Sequence, residues 1–215
     1  MADLISVLLV DDDALVRTGL RLILGGNSGI QIGVVYSPGA KLRVALPKNV
    51  ALDLKSGDGS ITVEDVTGTI VMRSDDDSIV GLRVSGDVRA RTDDGSIRLR
   101  ESTGRVDVET LDGSVIVNGT FTHLRAKTGD GSVRIAAENG SALEDDWTVE
   151  TRDGSVEVRL PEGLAGLVDA ATSDGSIRSN HPGLTVPARD DDERGEDRRE
   201  LKATPGAGGK TLRLR

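Results

Sequence analysis

Cysteine is absent from the 215 residues, so no disulfide staples the fold and the chain carries no mark of its redox compartment. Aromatic residues are nearly absent too, with Tyr36, Phe121 and Trp147 the whole set. Large rings supply much of the bulk of wide globular cores. Here Val, Ile, Leu, Ala and Thr must fill the interior, which suits thin layers of stacked strands. The same scarcity removes the platforms on which single-stranded nucleic acids stack. A basic excess is lacking, since the formal net charge is −9 and a phosphate backbone asks for a positive face. Arg89, Arg91, Arg98, Arg100 and Arg105 cluster, but Asp87, Asp93, Asp94 and Glu101 interleave with them. That mixture reads as a solvated face, so no nucleic-acid partner is expected. No stretch approaches the roughly 20 apolar residues that cross a bilayer. The opening run Leu4 to Val10 ends at Asp11-Asp12-Asp13. It has neither the basic start nor the small-residue cleavage site of a signal peptide, so as written the chain reads as cytoplasmic.

Glycine, by contrast, is abundant, with 27 copies, and many fall in a repeat. Asp58-Gly59-Ser60, Asp94-Gly95-Ser96, Asp112-Gly113-Ser114, Asp130-Gly131-Ser132, Asp153-Gly154-Ser155 and Asp174-Gly175-Ser176 carry it, and Asp76-Asp77-Ser78 is a degenerate copy. The serines at 60, 78, 96, 114 and 132 step by 18, then by 23 and 21. A fixed period in this range marks a repeat architecture. Each copy is flanked by alternating apolar residues, as in Val106-x-Val108-x-Thr110 before the bend and Val115-x-Val117 after it. Period-two alternation on both sides of a glycine bend predicts two short strands per repeat. Glycine at the bend is expected to supply positive φ, and Asp and Ser to bond the turn backbone. Gly68, Gly86 and Gly104 close the other end.

Two mostly-β architectures satisfy this pattern. In a parallel β-solenoid each repeat is one coil, and residue n lies on residue n+18 at about 4.8 Å. In an antiparallel meander each Asp-Gly would make a hairpin. The solenoid is preferred because it alone requires ladders of identical residues. Ser56, Ser74, Thr92, Thr110, Thr128, Thr151 and Thr172 form such a hydroxyl column. Eight or so coils are expected, in a domain spanning 38–215 with a charged loop at about 187–209.

Residues 1–37 differ. Leu4 to Val10 reads as a buried strand, Leu15, Val16, Leu20, Ile23 and Leu24 fall at helical spacing, and Ile30 to Val35 reads as a second strand. The unit would make a strand-helix-strand cap over the first coil. The run Val7-Leu8-Leu9-Val10-Asp11-Asp12-Asp13-Ala14-Leu15-Val16-Arg17 with Gly19-Leu20 resembles the start of a response-regulator receiver domain, over residues 1–36. The resemblance implies a Mg²⁺-binding carboxylate pair at Asp11 and Asp12. The receiver's phosphoacceptor strand is replaced by repeat sequence, so the fragment reads as incomplete and its metal pair as vestigial. The iterated Thr-x-Asp-Gly-Ser-Val/Ile motif of residues 38–215 resembles a bacterial adhesin-like family of β-strand-repeat proteins, catalogued as a domain of unknown function. That resemblance implies a β-helical, noncatalytic, envelope-associated role.

The aspartate column invites comparison with calcium-binding β-rolls, but those repeat about every nine residues. Here each Asp precedes a bend glycine, where it is a routine turn residue. A polysaccharide-cleaving enzyme would need one distinct carboxylate pair, which equivalent repeated acids do not single out. His123 and His181 have no partners at ligand spacing. The expectation is therefore a structural or adhesive surface without cofactor, whose ligand is a surface polymer or a protein. A signalling protein with a degenerate receiver and a β-helical polysaccharide enzyme are the alternatives. Thr211 to Arg215 repeats half a coil and is expected to leave an open strand edge for self-association. The inward and outward assignments make a stability prediction. Thr110→Lys should lower the urea midpoint strongly, because an unpaired buried ammonium costs several kcal/mol. Arg98→Lys, on an outward face, should stay within about 0.5 kcal/mol of the parent.

Overall fold

A computed structural model describes residues 5–9, 21–23, 30–34, 43–45, 48–172, 199–203 and 210–214, with side chains within 48–169 and 210–214. The described residues contain strands and turns and no helix. One wall stacks Leu52–Ser56, Thr67–Ser74, Ser85–Thr92, residues 103–110, residues 123–128 and Trp147–Thr151 in parallel. The opposite wall stacks Ile61–Glu64, Ile79–Leu82, residues 97–100, residues 115–119, Val133–Ala137 and Val156–Arg159, again in parallel. Ile97–Thr110 and Val115–Thr128 run unbroken from the second wall around a corner to the first. This is the parallel β-solenoid, not the meander.

The offset of 18 appears directly in the register. Leu52 pairs with Ile70, Ile70 with Val88, Val88 with Val106 and Val106 with Leu124. Across the interior, Ile61, Ile79, Ile97, Val115 and Val133 form the facing column. Nearly all of these side chains are fully buried. Alternation along each strand thus sends one set inward and the next to solvent. About five turns keep the strict offset among the described residues.

Regularity breaks where residues 138–146 enlarge a corner, and the next register offset is 23, Ala126 pairing with Val149. Two of the three aromatics fill the widened interior there. Phe121 and Trp147 are both fully buried and meet edge to face, centroids 6.2 Å apart. The indole N–H donates to the Thr122 carbonyl at 3.4 Å.

Three expectations about the strands are corrected. The helix foreseen from Ala14 to Leu24 is absent from its last turn, for Arg21–Ile23 is a strand paired in parallel with Arg43–Ala45. A partner strand satisfies the backbone of both segments, a tertiary gain that outweighs local helical spacing. The strands foreseen on either side of that segment are present as Ile5–Leu9 and Ile30–Val34. They pair in parallel with each other, and the second joins Leu52–Ser56. The C-terminal strand is not an open edge. Thr211–Leu214 is inserted between Trp147–Thr151 and Leu167–Thr172, parallel to both, with Leu212 buried. For the same reason Thr172 does not extend the hydroxyl column above Thr151, and Leu167–Thr172 takes an antiparallel partner, Arg199–Ala203, on its far side. Pairing on two edges satisfies twice the backbone groups of an edge strand.

The bend glycines need correction in reason rather than in place. Gly95, Gly113, Gly131 and Gly154 are not among the positive-φ residues. Their constraint is closeness, since a Cβ on Gly113 would lie 2.0 Å from the carbonyl oxygen of Gly95, and one on Gly95 would lie 2.1 Å from that of Asp77. Positive φ belongs to the other corner, at Gly68, Gly86 and Gly104. There Asp65, Arg83 and Glu101, also 18 apart, hold φ of 58°, 52° and 52°. Gly113→Ala should therefore cost about 1–3 kcal/mol, as overpacking does. Gly57→Ala, whose added methyl would meet nothing within 4 Å, should stay within about 0.5 kcal/mol. Urea unfolding of the two variants provides the comparison, and equal midpoints would refute the close-approach account.

Candidate functional surfaces

Each described Asp-Gly-Ser bend is built around the hydroxyl two residues before its aspartate. Thr110 Oγ1 accepts the N–H of Gly113 in its own bend at 3.3 Å and donates to the Gly95 carbonyl of the preceding coil at 2.8 Å. Thr92 repeats this with Gly95 N–H and the Asp77 carbonyl, and Ser74, Thr128 and Thr151 donate to Gly59, Gly113 and Gly131. One buried hydroxyl thus serves as donor and acceptor, which a methyl or an ammonium cannot do. Thr110 is 1% exposed and Arg98 lies on an outward face, as the alternation predicts.

The bend stacks its remaining residues at one edge of the solenoid. Asp58, Asp94, Asp112, Asp130 and Asp153 occupy one column, with Asp76 between the first two. Gly59, Gly95, Gly113, Gly131 and Gly154 lie in the next. Ser60, Ser96, Ser114, Ser132 and Ser155 follow, linked by contacts such as Ser132 to Ser155 at 3.0 Å. Asp174-Gly175-Ser176, His181 and the Asp11–Asp12 pair lie outside the described residues. Among the described residues no three acids or histidines converge as a metal site would require.

Stacked carboxylates have electrostatic consequences. Desolvation, then the charges of Asp58 and Asp94, push the Asp76 carboxyl above its ordinary value. Asp77, which stands where the repeat has glycine, is held low by the Ser78 backbone N–H and then by the Ser60 hydroxyl, at 2.6 and 2.7 Å. Arg152 enters the column further on and pairs with Asp130 at 2.6 Å.

The outward side of the first wall is knit by charge. Arg73 meets Asp53 at 3.1 Å, Arg125 meets Asp107 at 2.9 Å, and Lys127 pairs with Glu150. Exposed pairs of this kind contribute about 0–1 kcal/mol each. At the second corner Arg83 grips Asp65 through two hydrogen bonds, of 2.6 and 3.0 Å, which lower the aspartate's pKa. At the enlarged corner Asp145 accepts from Arg105 at 2.9 Å, and that bond holds its carboxyl low. His123 Nδ1 lies 3.7 Å from the same carboxylate and has no hydrogen-bond partner.

Among the described residues the second wall is charge-paired only in its later coils, where Arg134 and Arg159 meet Glu157 at 3.6 and 2.8 Å. Arg89, Arg91 and Arg105 lie on the charge-knit first wall, each paired with an acid. Arg98 and Arg100 lie on the second wall and have no ion pair among the described residues. Arg98 is in register with Val80 and Ile116, and Arg100 with Leu82. Alternation along Ile97–Thr110 was legible, but which wall each half occupies depends on where the strand turns the corner.

With the stacked coils, two walls and Gly-to-carbonyl contacts established, the chain can be placed by comparison. It matches the family model described as Toastrack DUF4097 over residues 25–215. The chain belongs to the Toastrack family. That family is a domain of unknown function, and its match reaches into the stretch that resembles a receiver. No curated protein and no solved structure matches.

The Toastrack bend edge yields a prediction with a definite sign. A folded-state carboxyl pKa raised above its unfolded value means a stability deficit at neutral pH that disappears as pH falls through the raised value. Asp76→Asn should therefore raise the urea midpoint at pH 7, and the advantage should shrink in acid. Asp65 and Asp145 run the opposite way, their contribution vanishing only as pH falls through their lowered values. A midpoint for Asp76→Asn below the parent's at pH 7 would show that the stacked charges are not unfavourable.

Proposed function

We propose that this Toastrack chain is a noncatalytic, adhesin-like scaffold of the bacterial envelope that presents flat, laddered walls to a partner. The observation that carries the reading is the stapled bend. Its Thr, Gly and Ser are each accounted for by stacking, so the most repeated uncharged groups of the bend serve architecture. The walls between the corners are then the surfaces left for recognition, and repeated extended surfaces are how stacked-repeat proteins bind. The resemblance of the repeat to adhesin-like β-strand proteins supports the same role and its envelope setting.

The purified full chain, mixed with intact bacterial cells and with isolated envelopes, should co-sediment with them. The same preparation should release no reducing ends from a panel of acidic and neutral polysaccharides. Co-sedimentation no greater than that of an unrelated protein of similar size and charge would overturn the adhesive reading. Hydrolysis of any polysaccharide, abolished by a single carboxylate substitution, would overturn the noncatalytic one.

A further inference from the structure

Two surfaces that adjoin at one corner have complementary chemistry. The first is the acid row of Asp58, Asp76, Asp94 and Asp112, where Asp94 and Asp112 are exposed and without a partner among the described residues. Leu111 stacks beside it, its amide donating to the Asp93 carbonyl at 3.0 Å. At 49% exposure Leu111 is the one large apolar side chain standing in solvent among the described residues. The second surface is the Arg98–Arg100 pair on the wall that follows the bend, with Val80, Leu82 and Ile116 half-buried around it. Arg98 follows Asp94 by only four residues. The two guanidiniums nevertheless have no carboxylate within 4.0 Å among the described residues.

We infer that two copies of the chain associate through this corner, Arg98 and Arg100 of one copy seated against Asp94, Asp112 and Leu111 of its partner copy. Because donor and acceptor surfaces adjoin on every copy, a two-fold axis satisfies both at once, each copy offering arginines and receiving carboxylates. Guanidinium matches carboxylate in a planar fork. Leu111 meanwhile gains apolar contact from Val80 and Ile116, which flank Arg98 in register on the coils before and after it. That last match is why a second copy fits better than a polyanion, which would supply charge but nothing for the exposed leucine. The inference goes beyond the envelope reading and does not depend on it.

Sedimentation equilibrium of the full chain tests it. The parent should dimerise. Arg98→Glu with Arg100→Glu, and separately Asp94→Arg with Asp112→Arg, should each weaken dimerisation about tenfold or more, since like charges then face each other. Leu111→Ser should weaken it as well. Urea midpoints close to the parent's would confirm that the variants fold. Mixing the two charge-reversed variants should restore a one-to-one complex, because each altered row then faces its complement. A parent that stays monomeric at the highest soluble concentration would overturn the inference, as would variants that dimerise like the parent or a mixture that fails to re-form. Capture of polygalacturonate by a monomeric parent, lost on arginine reversal, would also overturn it and assign the wall to a polymer instead.

Discussion

The hydroxyl of the bend threonine is the constraint from which the rest of the solenoid follows. A parallel stack turns its backbone at each corner, and there the carbonyls of one bend point at the next coil instead of along a strand ladder. A buried carbonyl without a donor costs about 1–3 kcal/mol. Thr110 answers Gly95 and holds Gly113, and Thr92 answers Asp77 and holds Gly95. Each coil therefore fixes the corner of the one before it and of itself. This requires the hydroxyl at one fixed place in every turn, and the spacing holds at 18 until residues 138–146 lengthen one coil to 23.

Close stacking at the corner has a second consequence. The bends approach so nearly that the residue after the aspartate cannot carry a Cβ at Gly95, Gly113, Gly131 or Gly154. The aspartate before it, pointing outward, lands on its own copy in the next coil. On the walls the chain varies its ladders, as in Asp53, Val71, Arg89, Asp107 and Arg125, so opposite charges meet. At the bend edge it does not, and Asp76 registers the crowding. Repetition that solves the backbone problem thereby concentrates one sign of charge at a single edge.

The departures from repetition are local and have physical causes. Where residues 138–146 enlarge a corner, Phe121 and Trp147 supply the bulk that aliphatic columns lack. Ser102, buried in the apolar column after Val66 and Val84, leaves its hydroxyl without a partner. The strand Thr211–Leu214 returns across 59 intervening residues to lie beside Trp147–Thr151. It covers an edge that would otherwise face solvent.

The period, the inward and outward alternation and the hydroxyl column were legible in the sequence because each depends on spacing along one coil, and stacking copies that spacing. Thr92, Thr110 and Thr128 lie where the repeat places them, and the Asp-Gly-Ser bends occupy one edge. Three things required the tertiary structure. Glycine at the bend reads alike whether it supplies φ or makes room, and only the neighbouring coil's carbonyl decides between them. Arg98 and Arg105 look like members of one cluster until the corner between them assigns each to its wall. The apolar ends of the chain, Arg21–Ile23 and Thr211–Leu214, carry no sign of their partners. Strand pairing between segments far apart in sequence is chosen by which edge lacks hydrogen bonds, and that edge exists only once the coils have stacked.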